Sequence, residues 1–186
     1  MNEILFHGST RYFDRFDLEK SRIKLDFGRG IYLSTRQDHS ASIIKTNVGY
    51  VYSYEVNLTE ARKFLRIFRF RSDSLEWVKF VLDNRHLITG TQLSSIRAKD
   101  YDIIIMGPTV DNVLKRELDS ITLDEGFALL SKTEQNKKLV QIRDKFKPGV
   151  YPEQVCLKTQ KAVNLFDRSR VGMWIIGPGG VKYVKC

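Results

Sequence analysis

The chain has 186 residues, of which 42% are hydrophobic and 28% are charged, a length and balance that suit one globular domain with a real core. No apolar run approaches the length of a membrane span, and the first strand starts too near the N-terminus to leave room for a signal peptide, so we expect a cytoplasmic protein. The net charge of +9 suits nucleic acid or an acidic protein as partner, or simply solubility, and no Cys/His grouping has metal-ligand spacing.

The first predicted element is a short apolar strand, Ile4–Phe6, which runs directly into His7, Gly8 and Ser9. Gly8 has no Cβ, so a ligand can approach the backbone closely at this point. A histidine at a strand end is more often a hydrogen-bonded structural residue than a binding residue. This motif therefore indicates a site only in combination with another.

A second strand, Ile31–Leu33, follows the glycine-rich stretch that contains Gly28 and Gly30. Tyr32 points to the face opposite Ile31 and Leu33, so it faces a cleft if those two side chains face the core. Gly-x-Gly alone is not the dinucleotide-binding fingerprint, because no third glycine follows at the right distance. The order and spacing of the two motifs place an imidazole and a phenol ring on two strands of one domain. Such a pair can hold a nicotinamide nucleotide.

The next elements are a helix and a strand. Thr35 and Asp38 fit a capping box, which predicts a helix that begins at once and carries Ser40. The alternation of side chains in 50–56 predicts a half-exposed strand. In 62–71, arginines alternate with phenylalanines, a pattern seen on nucleic-acid surfaces and in half-buried strands, and we favour the strand.

The remaining chain predicts one amphipathic helix, one buried strand, one polar helix and a hairpin. Leu75, Val78, Val81 and Leu82 recur at helical spacing in a segment that starts near Ser72 or Ser74. The run 103–106 predicts a buried central strand that stops at Gly107-Pro108, and 122–147 favours a helix closed by Pro148-Gly149. Cys156 lies mid-strand in the expected core, and the two cysteines, Cys156 and Cys186, fit a reducing compartment. The segment 171–185 predicts a C-terminal β-hairpin that extends a sheet or covers an edge.

These motifs together resemble a known superfamily. FHGS (6–9) followed by DFGRGIYLS (26–34) resembles the ADP-ribosyltransferases of the diphtheria-toxin and poly-ADP-ribose-polymerase branch, marked by a histidine, a tyrosine and usually a glutamate on three strands. With EWVKFVLDNR, YDIIIMGPTVDN and EQVCLKTQKAV, the chain is similar to bacterial ADP-ribosyltransferase-like domains often encoded beside a small antitoxin. The resemblance covers about residues 3 to 166.

The resemblance implies roles for several residues toward NAD as substrate. His7 is expected to hold the adenosine-side ribose, Gly8 the nicotinamide amide through its backbone, and Tyr32 to stack on the nicotinamide ring. Ser40 is expected to contact the carboxamide, and Arg22 the pyrophosphate through its forked guanidinium. Neighbours within the same motifs, Ser9 and Gly30, complete the expected NAD-contacting set. The second stacking tyrosine of the wider family is replaced by Ile43.

The third motif leaves two candidates for the last catalytic residue, which would act with His7 and Tyr32. The resemblance puts Gln154 in the place of the catalytic glutamate, with Glu153 beside it. Neighbours in an extended strand point to opposite faces, so only one of them reaches the cleft. We favour Gln154, which hydrogen-bonds but brings no charge. Glu153 is the alternative and needs a bulge to turn inward.

The resulting expectation is an α+β, ADP-ribosyltransferase-like fold with two small, packed, mainly antiparallel sheets around an NAD cleft and flanking helices. Residues 1–166 form the catalytic domain and 167–186 a hairpin extension of it. The expected function is an NAD-dependent ADP-ribosyltransferase, the toxin of a bacterial toxin-antitoxin pair, which modifies a protein or nucleic acid, releases nicotinamide and is restrained by an acidic antitoxin. The alternatives are a weak or inactive nucleotide-binding module and a relative of the tRNA 2′-phosphotransferases.

Overall fold

The computed structural model describes residues 2–23, 25–71, 74–85, 92–106, 127–145 and 152–186. The strands are β1 (Glu3–Ser9), β2 (Ile31–Ser34), β3 (Gly49–Val56), β4 (Ile67–Arg69), β5 (Ile103–Met106), β6 (Gln154–Leu157), β7 (Arg170–Gly177) and β8 (Gly180–Lys185). The helices are α1 (Gln37–Ser42), α2 (Leu58–Ala61), α3 (Glu76–Asn84), α4 (Lys132–Lys145) and α5 (Gln160–Arg168), with short 3-10 helices at Ala98–Asp100 and Phe127–Leu129.

The described strands form one eight-stranded sheet in the order β4-β5-β6-β2-β1-β3-β7-β8. Only β4 and β5 run parallel, so the α+β class and the mainly antiparallel arrangement are confirmed. The expected two separate sheets are instead one hydrogen-bonded sheet. The pair Phe6 and Ser34 joins its two halves, whereas β1 pairs with β3 at seven positions and β2 with β6 at four. The junction between β1 and β2 is therefore the narrowest part of the sheet.

One face of the sheet is covered by α2 and α5. Ile31 and Leu33 point to this face, as the alternation in β2 predicts. They pack in one buried cluster with residues from every central strand and from both helices, including Leu5, Tyr52, Tyr54, Ile103, Ile105, Val155, Leu157, Leu58, Ala61, Val163 and Phe166. We call this side of the sheet face A.

The opposite face, face B, is covered by α3, α4 and the loop before β2. The predicted amphipathic helix is confirmed in α3, whose buried residues are Trp77, Val78, Phe80, Val81 and Leu82. Cys156, as expected, is fully buried mid-strand, and the pKa of its thiol is raised to about 12 because burial disfavours the thiolate. The buried residues of α3 and Cys156 form one hydrophobic cluster on face B, to which helix α4 contributes Leu139 and Ile142.

The start of α1 differs from the predicted capping box. Thr35 is not the N-cap, because its N–H donates to the carbonyl of Glu153 at 3.1 Å and so extends the pairing of β2 with β6. Arg36 takes the N-cap position without a side-chain cap. The Asp38 carboxylate instead accepts hydrogen bonds from the Arg36 guanidinium (3.0 Å) and the His39 N–H (2.8 Å). Tertiary pairing thus displaces the helix start.

Strand β3 is more buried than the half-exposed strand that we predicted. Val51 and Ser53 are buried as well as Tyr52 and Tyr54, because β3 lies between β1 and β7 and both of its faces are covered. In 62–71 the predicted strand is confirmed only for β4. Phe70 is buried, but Phe64 lies before the strand and is half exposed.

The predicted hairpin is confirmed as β7 and β8, and it extends the sheet. Strand β7 pairs with β3 from Gly49 to Tyr54, so it is an integral strand, while β8 forms the edge and is mostly exposed.

The predicted buried strand is confirmed as β5, which lies between β4 and β6, and its predicted end at 107–108 lies outside the described residues. The predicted polar helix is observed as α4, and 122–126 and 146–149 also lie outside them. In the described part of the chain, no helix combines the length and the apolar character needed to cross a membrane.

Candidate functional site

The candidate site is the gap that opens between β1 and β2 beyond their single register pair. After Phe6 and Ser34 the ladder between the two strands is interrupted. The His7 imidazole occupies this junction, where its Nδ1 lies 2.7 Å from the carbonyl oxygen of Tyr32. A side chain thus links the two strands where a backbone ladder would otherwise continue.

The hydrogen bond to Tyr32 defines the tautomer of His7. A carbonyl oxygen only accepts, so Nδ1 carries the proton and Nε2 of the neutral ring is an acceptor. Burial lowers the pKa of His7, and the bond to the Tyr32 carbonyl opposes this shift only in part. The imidazole is therefore neutral at pH 7, with Nε2 suited to accept a hydrogen bond from a hydroxyl group.

Aromatic rings fix the orientation of His7 on face A. The imidazole meets Phe16 edge-on, with ring centroids 5.1 Å apart and planes at 90°, and Phe13 at 5.7 Å and 74°. Both phenylalanines belong to the irregular segment after β1. This segment starts with a turn in which the Ser9 hydroxyl donates to the Arg11 carbonyl at 2.7 Å. Ser9, an expected NAD contact, therefore shapes the loop that follows His7.

Tyr32 lies on face B, where it organises the loop before its strand. Its hydroxyl donates to the Gly28 carbonyl (2.6 Å) and accepts from the Phe27 N–H (3.0 Å). Its ring is parallel to that of Phe27, with centroids 5.7 Å apart and planes at 3°. One face of Tyr32 is thus stacked inside the protein. A nicotinamide stacked on this tyrosine would use the other face.

Close packing restricts the Gly28–Gly30 loop. Gly28 has a φ of +71°, a conformation that a residue with a Cβ rarely adopts. A Cβ on Gly30 would lie 2.3 Å from the Cys156 sulfur. The Lys158 ammonium donates to the carbonyls of Phe27, at 2.6 Å, and Arg29. Gly30 thus brings the loop against β6, and Lys158 fastens it there.

Gly8 and Ser40 are in direct contact on face B. A Cβ on Gly8 would lie 2.0 Å from the Ser40 carbonyl oxygen, so glycine is what allows α1 to approach β1. Ser40 is 1% exposed, and its hydroxyl donates to the Phe6 carbonyl at 3.0 Å. The proton of this hydroxyl is therefore engaged in the fold. Its oxygen keeps the capacity to accept a hydrogen bond.

The register of β6 separates the two candidates of the third motif. Gln154 pairs with Ser34, and Cys156 pairs with Tyr32, so Gln154 shares face B with Tyr32. The Gln154 Oε1 is buried and, among the described residues, accepts no hydrogen bond. Such an atom is costly unless a donor reaches it. The structure thus places Gln154 on the same face as Tyr32, with its amide oxygen unpaired among the described residues.

Glu153 precedes β6, and its carboxylate is paired with a cation. It lies 3.4 Å from Nη1 of Arg69, and Arg69 also lies 3.6 Å from Glu3. Arg69 alternates with Phe68, which packs on face B, so Glu153 is turned toward face A. Its charge is balanced there by an arginine, away from the face that carries Tyr32.

Among the described residues, no hydrogen bond or ion pair ties Arg22 to the gap. The side chain is exposed, and the described residues provide it with no hydrogen bond or ion pair. Ile43, which stands where the wider family has a second tyrosine, is 55% exposed at the end of α1.

A separate surface cleft of about 590 Å³ adjoins the Gly28 loop and is lined in part by Arg29, Arg97 and Lys99.

Sequence patterns did not reveal the residues that support this arrangement. Phe13 and Phe16 lie in a stretch without strand or helix periodicity, and Lys158 follows β6 with no motif of its own. Arg170 lies after the end of the resemblance, yet it contacts the segment beside His7. The one usable signal was the pair of phenylalanines close after the HGS motif.

Comparison with known proteins identifies a family without assigning an activity. Residues 3–167 match the model of a family described as protein of unknown function DUF3990. No curated protein and no solved structure matches the chain. The family match covers β1 to α5 and ends before β7. Because the match spans most of the chain, the protein belongs to the DUF3990 family.

Proposed function

We propose that the protein is an NAD-dependent ADP-ribosyltransferase with an ADP-ribosyltransferase-like fold. The observation that carries the proposal is the gap between β1 and β2, which His7 bridges through its bond to the Tyr32 carbonyl. His7, on face A, and Tyr32 and Gln154, on face B, lie around this gap, where the proposed ligand would meet them. These are the residue types, in the same strand order, that the sequence resemblance assigns to NAD.

Three features of the gap favour a nucleotide ligand. The acceptor Nε2 of neutral His7 matches a ribose hydroxyl, which is a donor. The Gln154 Oε1, which is buried and receives no hydrogen bond from the described residues, matches a second hydroxyl. The backbone of Gly8, with Ser40 packed against it, matches the carboxamide of nicotinamide. NAD bound in this way supplies a sugar carbon from which nicotinamide departs as an acceptor attacks.

The chain's own groups would act by position and hydrogen bonding. His7 would hold one ribose through Nε2, and Tyr32 would support the nicotinamide ring with the ring face turned away from Phe27. Gln154 would orient the other ribose through its amide oxygen. Because an amide carries no charge, we expect slow transfer compared with a site that places a carboxylate near the developing positive charge.

The acceptor and the regulation of the activity are part of the proposal. The net charge of +9 favours an acidic protein or a nucleic acid as acceptor, and an acidic antitoxin as inhibitor of a toxin of this kind. Free cysteines, Cys156 buried and Cys186 exposed, fit a reducing cytoplasm. Incubation of the purified protein with NAD labelled in its adenylate and a total cell extract identifies the acceptor, since the label enters protein, RNA or DNA.

Nicotinamide release and calorimetry test the assignment. His7→Ala should weaken NAD binding by roughly five- to a hundredfold, as expected for loss of about 1 to 3 kcal/mol of hydrogen bonding in a desolvated site. His39→Ala, a substitution of the half-buried histidine of α1, which is outside the expected NAD-contacting set, should leave affinity unchanged. Equal NAD affinity of the wild type and His7→Ala would mean that the site is wrongly assigned.

Substitutions in the third motif test the catalytic role. Gln154→Ala should reduce nicotinamide release by more than about tenfold, and Glu153→Ala should change it little. Gln154→Glu places charge where positive charge develops and is expected to raise NAD hydrolysis. If Glu153→Ala abolishes release while Gln154→Ala does not, the carboxylate is the catalytic group.

A second candidate function is a nucleotide-binding module without catalysis. The observation that favours it concerns the third motif, since Gln154, on face B, is uncharged and Glu153, on face A, is paired with Arg69. Such a module binds NAD in calorimetry with the same dependence on His7 but releases no nicotinamide. Measurement of binding and release on one preparation separates the two functions.

A further inference from the structure

The orientation of His7 depends on a segment that has no regular structure of its own. Phe13 and Phe16 meet the imidazole edge-on and also contact each other, with centroids 5.1 Å apart. The segment 11–16 lies outside helices and strands, so its backbone groups find their partners elsewhere in the fold. Whatever holds this segment also holds the rings around His7.

Arg170, the first residue of β7, holds the segment from one side. Its Nη1 donates to the Phe13 carbonyl at 3.3 Å, and its Nη2 donates to the Asp14 carbonyl. Its guanidinium carbon also lies 5.5 Å from the centre of the Phe13 ring and 4.9 Å from that of Tyr52. The planar fork of arginine is suited to bind two carbonyls while it stacks on rings, and lysine lacks this geometry.

Asp167, near the end of α5, holds the segment at a second point. Its Oδ1 accepts a hydrogen bond from the Phe16 N–H at 3.0 Å. The Phe13 N–H donates to the Tyr52 hydroxyl at 2.9 Å. Four backbone groups between Phe13 and Phe16 are thus fixed by side chains from α5, β3 and β7.

We propose that Arg170 and Asp167 are positioning residues of the candidate site, which hold Phe13 and Phe16 against His7 and so orient its Nε2 toward the nucleotide. The identity of the nucleotide rests on the proposed function, whereas the orientation of His7 does not. Arg170 lies beyond residue 167, where the family match ends. The C-terminal hairpin therefore takes part in building the site.

Nuclear magnetic resonance of the imidazole nitrogens tests this role directly. The His7 signals are assigned by comparison with His7→Ala and then followed with pH in Arg170→Ala and Asp167→Ala. In both variants we expect the His7 pKa to rise toward the ordinary 6.5, because release of the phenylalanines admits water to the ring. NAD affinity should fall by about tenfold as the ring loses its orientation.

Two further variants distinguish positioning from general stability. Arg168→Ala removes an exposed arginine at the end of the same helix and should change neither the His7 titration nor NAD affinity. Arg170→Lys keeps the charge but not the fork, so it should restore the His7 titration only in part. Melting temperatures measured in parallel identify a variant that is merely unstable.

A folded Arg170→Ala protein with wild-type His7 signals overturns the proposal. If Arg170→Ala fails to fold, Asp167→Ala, which loses one hydrogen bond, decides the matter by the same signals. If His7 shifts as expected while the wild type binds no NAD, the positioning role stands and the proposed function fails.

Discussion

Substitution of Gly8 by alanine tests the packing on which the candidate site depends. An ideal Cβ at this position lies 2.0 Å from the Ser40 carbonyl oxygen and 2.9 Å from its carbonyl carbon. Both atoms are backbone atoms of α1, so no rotamer change relieves the contact. The helix must move away from β1 by about 1.4 Å for the Cβ and the oxygen to reach the 3.4 Å of ordinary contact.

The cost of this movement has two parts. Forcing a methyl group into a filled space costs about 1 to 3 kcal/mol. The same displacement breaks the 3.0 Å hydrogen bond from the Ser40 hydroxyl to the Phe6 carbonyl, which contributes about 1 kcal/mol. We expect Gly8→Ala to lower the free energy of unfolding by about 2 to 4 kcal/mol. NAD binding should be lost with it.

Gly177→Ala is the matched control, since a Cβ at Gly177, also in a strand, meets no atom within 4 Å. Urea denaturation followed by circular dichroism measures both variants at pH 7. Gly177→Ala should stay within about 0.5 kcal/mol of the wild type. Equal stabilities for Gly8→Ala and wild type would show that α1 does not pack on β1 as described.

Three further predictions concern charge, pH and the hairpin. Burial opposes ionisation of Asp102, but hydrogen bonds from the Arg66 N–H and the Thr159 hydroxyl, each at 2.8 Å, lower its pKa overall. Asp102→Asn should therefore lower the free energy of unfolding, measured in urea at pH 7, by about 1 to 3 kcal/mol. This stabilisation is complete above the ordinary pKa of 3.8 and is lost as pH falls through the lower folded pKa. The difference in unfolding free energy between Asp102→Asn and the wild type should therefore disappear in acid. Because burial lowers the pKa of His7 below its ordinary 6.5, the imidazole stays mainly neutral from pH 6.5 to pH 8, so NAD affinity measured by calorimetry should change less than about twofold over that range, and a larger loss toward pH 6.5 would contradict the neutral tautomer. Deletion of 180–186 should leave a folded protein by circular dichroism, because β8 is an exposed edge, and unfolding of this variant would show that β8 supports β7.

Local patterns in the sequence were sufficient for most of the elements. The alternation of Ile31, Tyr32 and Leu33 correctly assigned their faces, and the spacing of apolar residues correctly assigned α3. Such patterns succeed because burial of one face is a property of the residues themselves and of the period of the backbone. The hairpin was predictable from another local signal, because glycines and a proline mark its turn.

Arrangements between distant segments could not be read in this way. Threonine is a residue type that favours the N-cap of a helix, but the Thr35 N–H donates to the Glu153 carbonyl and so continues the pairing of β2 with β6. The strands that we expected in two sheets are continuous through the pair of Phe6 and Ser34. Neither feature has a local signal, because each depends on which segment lies beside which.

The sequence by itself determined the candidate residues His7, Gly8, Tyr32 and Gln154, because their order and spacing follow from motifs along the chain. The tertiary structure alone decided how they relate. It links His7 to the Tyr32 carbonyl, seats Gly8 against α1 and turns Gln154 to the face of Tyr32. It also brings Arg170 to the segment beside His7 from more than 150 residues away. Hydrogen bonds and close contacts between remote parts of a chain exist only once the whole fold has placed them together.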